Sequence, residues 1–221
     1  MSERGFAIIP DVIACNEADE ALHGLNATEL NRSRAGARHI LRQLCVKRLA
    51  SDLRVLNLAR EILGAEARPF RATLFDKSAS SNWLVVWHQD TALPLFEKRE
   101  VAGWGPWSVK EGVTYAHAPA SALEKVLALR VHLDDSTESN GPLRVIPGTH
   151  MRGVLTDAEL QELDSEIKPV TCTVNKGGVI AMRPLIVHAS SKSQSSLPRR
   201  VLHIEYSAVS EFENQLSLTA T

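Results

Sequence analysis

The sequence predicts a mainly β, α+β fold, with an N-terminal helical layer packed on one sheet of an antiparallel β-sandwich or jelly roll. Residues 1–68 form the mostly helical layer, in which residues 38–63 are rich in helix formers and have apolar residues at helical spacing. Residues 69–210 consist of short β-rich runs separated by turn residues. Helices followed by many short strands are typical of this arrangement. The 221 residues suffice for one sizeable core, so we expect a single domain over 1–221.

Three elements are predicted in the helical layer. Phe6–Ile9 is typical of a short strand. Asn16 can cap a helix over about 17–24, because its side chain accepts hydrogen bonds from the unpaired N–H groups of a first turn. A longer helical stretch covers residues 38–63, with Gly64 as its C-terminal stop.

Strands dominate the remainder of the chain. Asn140-Gly141 is a hairpin-type signal between two of the strand-like runs. These runs cover residues 82–88, 127–133, 170–174, 179–182, 185–190 and 199–207.

Two short helices and one long segment interrupt the strands. Each helix begins with a capping box, Ser121 with Glu124 and Thr156 with Glu159. Residues 91–119 show little periodicity, and we predict a loop over the mouth of the sandwich, where functional residues are often found.

Composition and charge exclude several classes of protein. Hydrophobic residues make up 44% and charged residues 23%, as in ordinary soluble globular proteins. The net charge of −1 gives no electrostatic basis for binding nucleic acid or an anionic membrane. No apolar run is long enough to span a bilayer, and the N-terminus does not resemble a secretory signal. The three cysteines, Cys15, Cys45 and Cys172, are far apart, which indicates free thiols and a cytoplasmic location.

One pair of residues has the spacing of a metal site. Residues i and i+2 of a strand point to the same face, so His88 and Asp90 can both face inward while Gln89 faces outward. The long irregular segment follows Asp90 directly, which places the pair beside open space. His188 ends the apolar run 185–187. Two histidines and one carboxylate form the facial triad of non-haem Fe(II) oxygenases, which leaves three coordination positions open.

Spacing alone does not select this pair, because the chain contains two rivals. His132 and Asp134 have the same spacing, and His203 with Glu205 is a weaker variant. Asp134 begins an acidic turn, where a carboxylate commonly caps the local backbone. We therefore expect His132 to line the site as a candidate substrate contact without binding the metal. A buried structural histidine beside a surface aspartate remains the alternative to any metal site.

Arg199 connects the metal site to a cosubstrate. It lies beyond a polar turn that follows His188, so pairing of the two flanking strands would return it to that histidine. A guanidinium group can hold a carboxylate in bidentate fashion, as the distal carboxylate of 2-oxoglutarate requires. Only one of Arg199 and Arg200 can face inward, because adjacent strand residues alternate.

Four motifs in this order resemble the phytanoyl-CoA dioxygenase family of Fe(II)/2-oxoglutarate oxygenases. They are Trp87-His88-Gln89-Asp90, the stretch from Asn140 to His150, His188-x-Ser190, and Arg199. The resemblance extends from Gly5 to about Ser207. It implies a double-stranded β-helix, which is a jelly roll with helices on one sheet.

The resemblance also implies cofactors and residue roles. Fe(II) would be bound by His88, Asp90 and His188, with 2-oxoglutarate as cosubstrate and O₂ as oxidant. The residues implied to contact the cosubstrate are Arg199, Ser190, Arg130 and Thr73. The implied reaction is hydroxylation of a C–H bond in a small-molecule metabolite. The segment after Asp90 departs from the acyl-CoA enzymes, so the family name does not identify the substrate.

Substrate contacts are expected from the segment after Asp90. Trp104 and Trp107 are the candidates there, together with His132 on the cavity side of its strand. Anchoring of the loop into the core is an equally good role for the two tryptophans. Two other functions remain open, namely a metal-dependent jelly-roll hydrolase or isomerase without cosubstrate, and a non-catalytic small-molecule binding module.

Overall fold

Strands make up most of the regular structure, and the helices concentrate near the N-terminus. The computed structural model describes residues 1–33, 36–78, 81–213 and 215–221, without the side chains of residues 164–166. The helices are α1 (Cys15–Asn26), α2 (Leu44–Ser51), α3 (Leu53–Leu63), α4 (Ala120–Leu123) and α5 (Asp157–Glu166), with a 3₁₀ turn at Thr149–Arg152. Within these described ranges, no helix has the length and apolar character that crossing a bilayer requires.

The strands are numbered in chain order. They are β1 (Phe6–Ile9), β2 (Arg32–Ser33), β3 (Gly36–Ala37), β4 (Arg68–Lys77), β5 (Val85–His88), β6 (Ala92–Leu95), β7 (Trp107–Lys110), β8 (Val113–His117), β9 (Val126–His132), β10 (Leu143–Ile146), β11 (Val170–Cys172), β12 (Val179–Met182), β13 (Val187–Ser190), β14 (Arg199–Ser207), β15 (Glu211–Phe212) and β16 (Leu216–Ser217).

Eight of these strands form a jelly roll. Strands β12, β9, β14 and β4 lie side by side in a seven-stranded sheet, which β1 extends at one edge and β3 and β2 extend at the other. Strands β11, β10, β13 and β5 form a second sheet. The pairings within both sheets are antiparallel, and the chain passes repeatedly from one sheet to the other. This architecture confirms the predicted double-stranded β-helix.

The seven-stranded sheet separates an apolar core from a polar interior. Alternate residues of β9, such as Leu129, belong to a core that the sheet shares with α1, α2 and α3. Arg130 and His132 lie on the other face, between the two sheets. Tyr206 on β14 donates a hydrogen bond to the backbone oxygen of Ala50 in α2, at 2.9 Å. The predicted helical layer on one sheet is thus confirmed.

The long helical stretch predicted over residues 38–63 consists of two helices. Asp52 separates α2 from α3, and its Oδ1 accepts a hydrogen bond from the backbone N–H of Arg54 at 2.9 Å. An aspartate competes well for the free N–H groups of a first turn, so it starts a new helix there.

Of the three predicted N-terminal caps, only the one at Thr156 is confirmed. The carboxylate of Glu159 accepts from the backbone N–H of Thr156 at 2.7 Å, and the threonine hydroxyl accepts in return. Asn16 lies inside α1, whose first turn is capped by Glu17. Ser121 lies inside the one-turn α4.

The prediction of an irregular loop over residues 91–119 is wrong for about half of that segment. Strands β6, β8 and β7 form a separate three-stranded sheet. The β7–β8 turn has positive φ at Glu111 and Gly112, which favours a tight hairpin. Short strands between glycines and prolines carry too little alternation to be recognised in the sequence. Leu93 and Leu95 pack with Phe212 in a second hydrophobic cluster.

Candidate metal centre and cosubstrate pocket

Three side chains converge at the edge of the four-stranded sheet. His88 ends β5 and lies directly opposite His188 on β13. Asp90 follows β5, and its backbone N–H donates to the carbonyl of Pro184 at 3.0 Å. One ligand atom from each of these three residues lies within 4.8 Å of the other two. At this spacing, one metal ion can contact all three side chains.

Hydrogen bonds to the backbone fix both imidazole rings. Nδ1 of His88 lies 2.9 Å from the carbonyl of Val86, and Nδ1 of His188 lies 2.9 Å from that of Ile186. Since a carbonyl only accepts, Nδ1 carries the proton and the lone pair is on Nε2. The Nε2 atoms of His88 and His188 lie 3.8 and 3.6 Å from the two carboxylate oxygens of Asp90. All three donors therefore face one point.

The protonation states suit metal binding. Burial lowers the pKa of His188 to about 4, so its imidazole is neutral at pH 7. Burial alone would raise the pKa of Asp90, but the adjacent His188 and His88 and the nearby cationic groups outweigh it and hold that pKa well below its usual range. Metals bind neutral imidazole and ionised carboxylate, so neither residue has to lose a proton at pH 7.

The two rival pairs have carboxylates that are engaged elsewhere. Asp134 accepts two hydrogen bonds of 2.7 Å from the guanidinium group of Arg200. Glu205 forms a buried ion pair with Arg71. His132 is buried, and neither ring nitrogen has a hydrogen-bond partner in the described chain. Across the described residues, the cluster at the edge of the four-stranded sheet is the one group of three such side chains within reach of a common metal ion.

Arg199 lines a cavity that also reaches the three candidate ligands. The cavity has a volume of about 80 Å³ and is partly open to solvent. The guanidinium group of Arg199 donates to the Oγ of Ser190 at 3.4 Å and to the carbonyl of Asn140 at 3.3 Å. Ser190 is two residues beyond His188 and shares its face of β13. Arg200 points away, so Arg199 is the inward-facing arginine.

Lys77 also lies in this region, and sequence reasoning missed it. Its side chain is buried, and Nζ donates to Ser190 Oγ at 2.8 Å. Burial, together with repulsion from Arg199 and Arg130, lowers the pKa of Lys77 to about 7. The two residues Thr73 and Lys77 are four positions apart on β4, so Lys77 shares the face of Thr73, but no strand is predicted there from the sequence.

Arg130 adds a third cationic side chain to the interior. Its Nη1 donates to Nδ1 of His203 at 3.2 Å. The Nε of Arg130 and the Nη1 of Arg199 are buried and have no hydrogen-bond partner among the described residues. Buried donors without acceptors are costly, and Asp90 is the carboxylate that lines the cavity together with Arg130 and Arg199. The donors therefore fit an anionic ligand with more than one carboxylate, such as 2-oxoglutarate.

Thr73 and His132 lie near the cavity without lining it. Thr73 is half-buried on β4, directly opposite His203 of β14. His132 lies on β9, where burial and the charges of Arg130 and Arg199 lower its pKa well below the usual value. The structure thus places His132 beside the two guanidinium groups and not at the open mouth of the cavity.

Trp104 and Trp107, the candidate substrate contacts in the segment after Asp90, do not line this cavity. Trp104 is buried against Phe212, with ring centroids 5.5 Å apart, and Trp107 packs on the same hydrophobic cluster. The aromatic residues that line the cavity are Phe75 and Trp83. Phe75 could have been found by its alternation with Thr73, whereas Trp83 lies near the start of the predicted run 82–88 and carried no distinguishing signal.

Known proteins with similar sequences include ectoine dioxygenases and a proline hydroxylase. An ectoine dioxygenase of Sphingopyxis alaskensis is 28% identical over 185 residues, which cover 74% of this chain and 54% of that protein. An L-proline trans-4-hydroxylase of Streptomyces griseoviridis is 24% identical over 197 residues, which cover 77% of this chain and 65% of that protein. The chain spans about half the length of the ectoine dioxygenases that it matches.

The fold is shared with solved structures. EctD from S. alaskensis, determined with 2-oxoglutarate and 5-hydroxyectoine, superimposes with a TM-score of 0.71 at 25% identity, over 94% of this chain and 73% of that one. The sequence model of the phytanoyl-CoA dioxygenase (PhyH) family matches residues 1–201. Because this match covers nearly the whole chain, and the convergent histidines and carboxylate agree with it, the protein belongs to the phytanoyl-CoA dioxygenase family.

Proposed function

We propose that this chain is a non-haem Fe(II)- and 2-oxoglutarate-dependent dioxygenase that hydroxylates a C–H bond of a small-molecule metabolite. One observation carries the proposal: a buried guanidinium N–H of Arg199, without a partner among the described residues, lies in the cavity that reaches the His-Asp-His cluster. A hydrolase or isomerase without cosubstrate has no need of such a carboxylate receptor. The donor set of the cluster likewise favours an enzyme over a binding module.

In this proposal, His88, Asp90 and His188 hold the iron. Solved relatives include EctD with bound Fe and EctD with 2-oxoglutarate, and the donor atoms here suit both. When bound, Fe(II) couples the O₂-dependent decarboxylation of 2-oxoglutarate to oxidation of a substrate C–H bond. The imidazole orientations and the ionised Asp90 are set before the metal arrives, which lowers the cost of binding it.

The cosubstrate is held from the opposite end of the cavity. Arg199 binds the distal carboxylate of 2-oxoglutarate in a bidentate manner, with Ser190 and Lys77 beside it. The charge of Asp90 acts on the guanidinium group of Arg130, which is consistent with a position of Arg130 beside the proposed metal ligands. Arg130 can therefore bind the end of 2-oxoglutarate that carries the keto acid.

The substrate is a small molecule, and we propose that it enters at the open side of the cavity. Phe75, Trp83 and Val85 line the cavity beside His88 and Asp90. The relatives are named for ectoine and for L-proline, both small molecules. The net charge of −1 supports neither nucleic acid nor an anionic membrane as a partner, and the free thiols support a cytoplasmic location.

The test is an anaerobic titration of the apo-protein, first with Fe(II) and then with 2-oxoglutarate. We expect a visible iron-to-keto-acid charge-transfer band, which requires no knowledge of the substrate. His88→Ala should abolish the band. His132→Ala should retain it, because His132 belongs to a rival pair and not to the cluster. Absence of the band in the wild-type protein would instead favour the hydrolase or the binding module.

A further inference from the structure

Gln89 stands between two of the proposed iron ligands, and its side chain points away from them. The sequence pattern places it on the outer face of its strand, where a polar residue is usually solvated. In the structure, however, the residue is only 9% exposed. A buried amide needs hydrogen-bond partners, and those of Gln89 connect distant parts of the chain.

The amide of Gln89 makes three hydrogen bonds to backbone groups. Its Nε2 donates to the carbonyl of Leu185 at 2.7 Å and to that of Gly153 at 2.9 Å. Its Oε1 accepts from the backbone N–H of Leu155 at 2.8 Å. Both donor hydrogens are used, and the accepted bond fixes which way the amide group is oriented.

One of these partners lies on the segment that carries the third ligand. Leu185 is three residues before His188, and the backbone N–H of Asp90 binds the adjacent carbonyl of Pro184 at 3.0 Å. Two consecutive residues of the His88-Gln89-Asp90 motif therefore hold two consecutive residues at the start of the His188 segment.

The strand pairing by itself holds these two segments weakly. Strands β5 and β13 are paired at His88 with His188 and at Val85 with Ser190, with a register irregularity between the two positions. An irregular ladder leaves the relative position of the strands less well defined. The side chain of Gln89 adds a fixed point beside the ligands, and it ties that point to the loop at 153–155.

We propose that Gln89 is a positioning residue for the metal: its amide sets the distance between the His88–Asp90 pair and His188, and thereby the metal affinity of the site. This inference rests on the proposed function, since it requires that the three side chains bind one ion. Groups that orient metal ligands from the second layer typically contribute about 10- to 100-fold to metal affinity.

Two substitutions separate the hydrogen bonds from the volume of the side chain. Gln89→Glu is nearly isosteric but turns acceptor oxygens towards the carbonyls of Leu185 and Gly153. Gln89→Met keeps an unbranched chain of similar length and removes the hydrogen bonds. Asn82 offers a matched control, because its amide also exchanges two hydrogen bonds with a distant backbone, but that backbone is Ser193 and not the segment that leads to His188. The control variant is Asn82→Asp.

The experiment measures Co(II) binding to each apo-protein from the visible absorption of the ion, with apo stability determined by urea unfolding. We expect both Gln89 variants to bind Co(II) about 10- to 100-fold more weakly than wild type. Their Co(II) spectrum should also change shape, which a loss of stability alone would not cause. Asn82→Asp should change the Co(II) affinity less than about twofold, because a residue that shares no partner with the metal ligands has little energetic coupling to them.

The results distinguish the inference from the proposed function. Wild-type affinity and an unchanged Co(II) spectrum in both Gln89 variants would overturn the positioning role while leaving the metal site intact. Failure of both variants to fold would also overturn it, because the amide would then support the fold as a whole. Failure of the wild-type protein to bind Co(II) would contradict the metal site itself, and with it the proposed function.

Discussion

The ammonium group of Lys77 donates a hydrogen bond to Ser190 Oγ at 2.8 Å and thereby joins the two sheets of the jelly roll. Lys77 ends β4 in the seven-stranded sheet, and Ser190 ends β13 in the four-stranded sheet. The Ser190 hydroxyl donates onward to the carbonyl of Gly141 at 2.8 Å. A buried cation therefore lies beside Arg199 at the end of the cavity, where we place the distal carboxylate of 2-oxoglutarate.

The affinity for 2-oxoglutarate should depend on the charge of Lys77. Its pKa is lowered to about 7 by burial and by the neighbouring arginines, so the free protein loses this charge as the pH rises. Binding of a dianion favours the charged form, so above pH 7 binding must take up a proton. The affinity should then fall by up to about tenfold per pH unit. Anaerobic 2-oxoglutarate titrations of the Fe(II)-loaded protein between pH 6 and 9 would show this slope.

The substitution Lys77→Met provides the control for that slope. It should weaken 2-oxoglutarate binding at pH 6.5 and leave the affinity nearly independent of pH above 7. A slope that persists in Lys77→Met would show that another group titrates.

Arg199→Met should weaken 2-oxoglutarate binding without affecting the metal. Hydrogen bonds to charged groups contribute about 1.5–3 kcal/mol, which corresponds to roughly 10- to 150-fold in affinity. Arg199→Lys should recover only part of the loss, because an ammonium group cannot form the bidentate contact. Titration of 2-oxoglutarate against the iron-loaded protein measures the effect.

Arg200→Met is the matched control for Arg199, because Arg200 is its neighbour on β14 and binds Asp134 outside the cavity. Its affinity for 2-oxoglutarate should equal that of wild type. Equal losses of 2-oxoglutarate affinity in the two variants would show that the effect arises from a disturbance of β14 and not from loss of the contact between Arg199 and the carboxylate.

The ion pair of Arg71 with Glu205 should be important for stability. Both side chains are at most 14% exposed, and Arg71 also donates to the carbonyl of Ala92 at 3.0 Å. Arg71→Met leaves a buried carboxylate without its partner, which costs about 3–5 kcal/mol. Urea unfolding of the apo-protein measures the change, and replacing Glu205 by Leu in the same variant should restore much of it.

A second arginine–glutamate pair serves as the exposed control. The side chains of Arg68 and Glu66 are 79% and 73% exposed, so Arg68→Met should change stability by less than about 0.5 kcal/mol. A comparable loss in both arginine variants would contradict the importance assigned to burial.

Substitutions of two tryptophans should affect different properties, stability for Trp104 and 2-oxoglutarate affinity for Trp83. Trp104→Ala removes a buried ring from the cluster with Phe212 and should cost about 3–5 kcal/mol of stability. Trp83→Ala removes a cavity wall that also lies 5.2 Å from the Lys77 ammonium group, so it should weaken 2-oxoglutarate binding with little loss of stability. Urea unfolding and anaerobic titration of both variants separate the two effects. Weaker 2-oxoglutarate binding in a folded Trp104 variant would indicate that this residue does contribute to the site.

Local sequence patterns predicted much of the fold but missed part of it. Alternation on β9 places Leu129 in the core shared with the helices and Arg130 on the opposite face. The break at Asp52 and the small sheet formed by β6, β7 and β8 were missed. The strands of the small sheet have weak local preferences, and contacts such as that of Leu93 with Phe212 stabilise them only in the folded chain. The Asp52 cap, by contrast, is a local signal that the prediction of one long helix overlooked.

The sequence by itself determined which residues could take part in a site. Spacing made His88 and Asp90 a candidate pair, and alternation allowed only one of Arg199 and Arg200 to face inward. Both properties follow from spacing along the chain, because successive side chains of a strand point to opposite faces of the sheet.

Only the tertiary structure decided which candidates meet. In the folded chain, Asp134 pairs with Arg200 and Glu205 pairs with Arg71, so neither carboxylate is available to a metal. The pairing of two strands also brings His188 opposite His88, although the two residues are 100 positions apart in the sequence. The tertiary structure also brought Lys77 to Ser190 and buried Gln89 among distant backbone groups. The physical reason is that these contacts join segments far apart in sequence, and local spacing carries no information about which segments will pair.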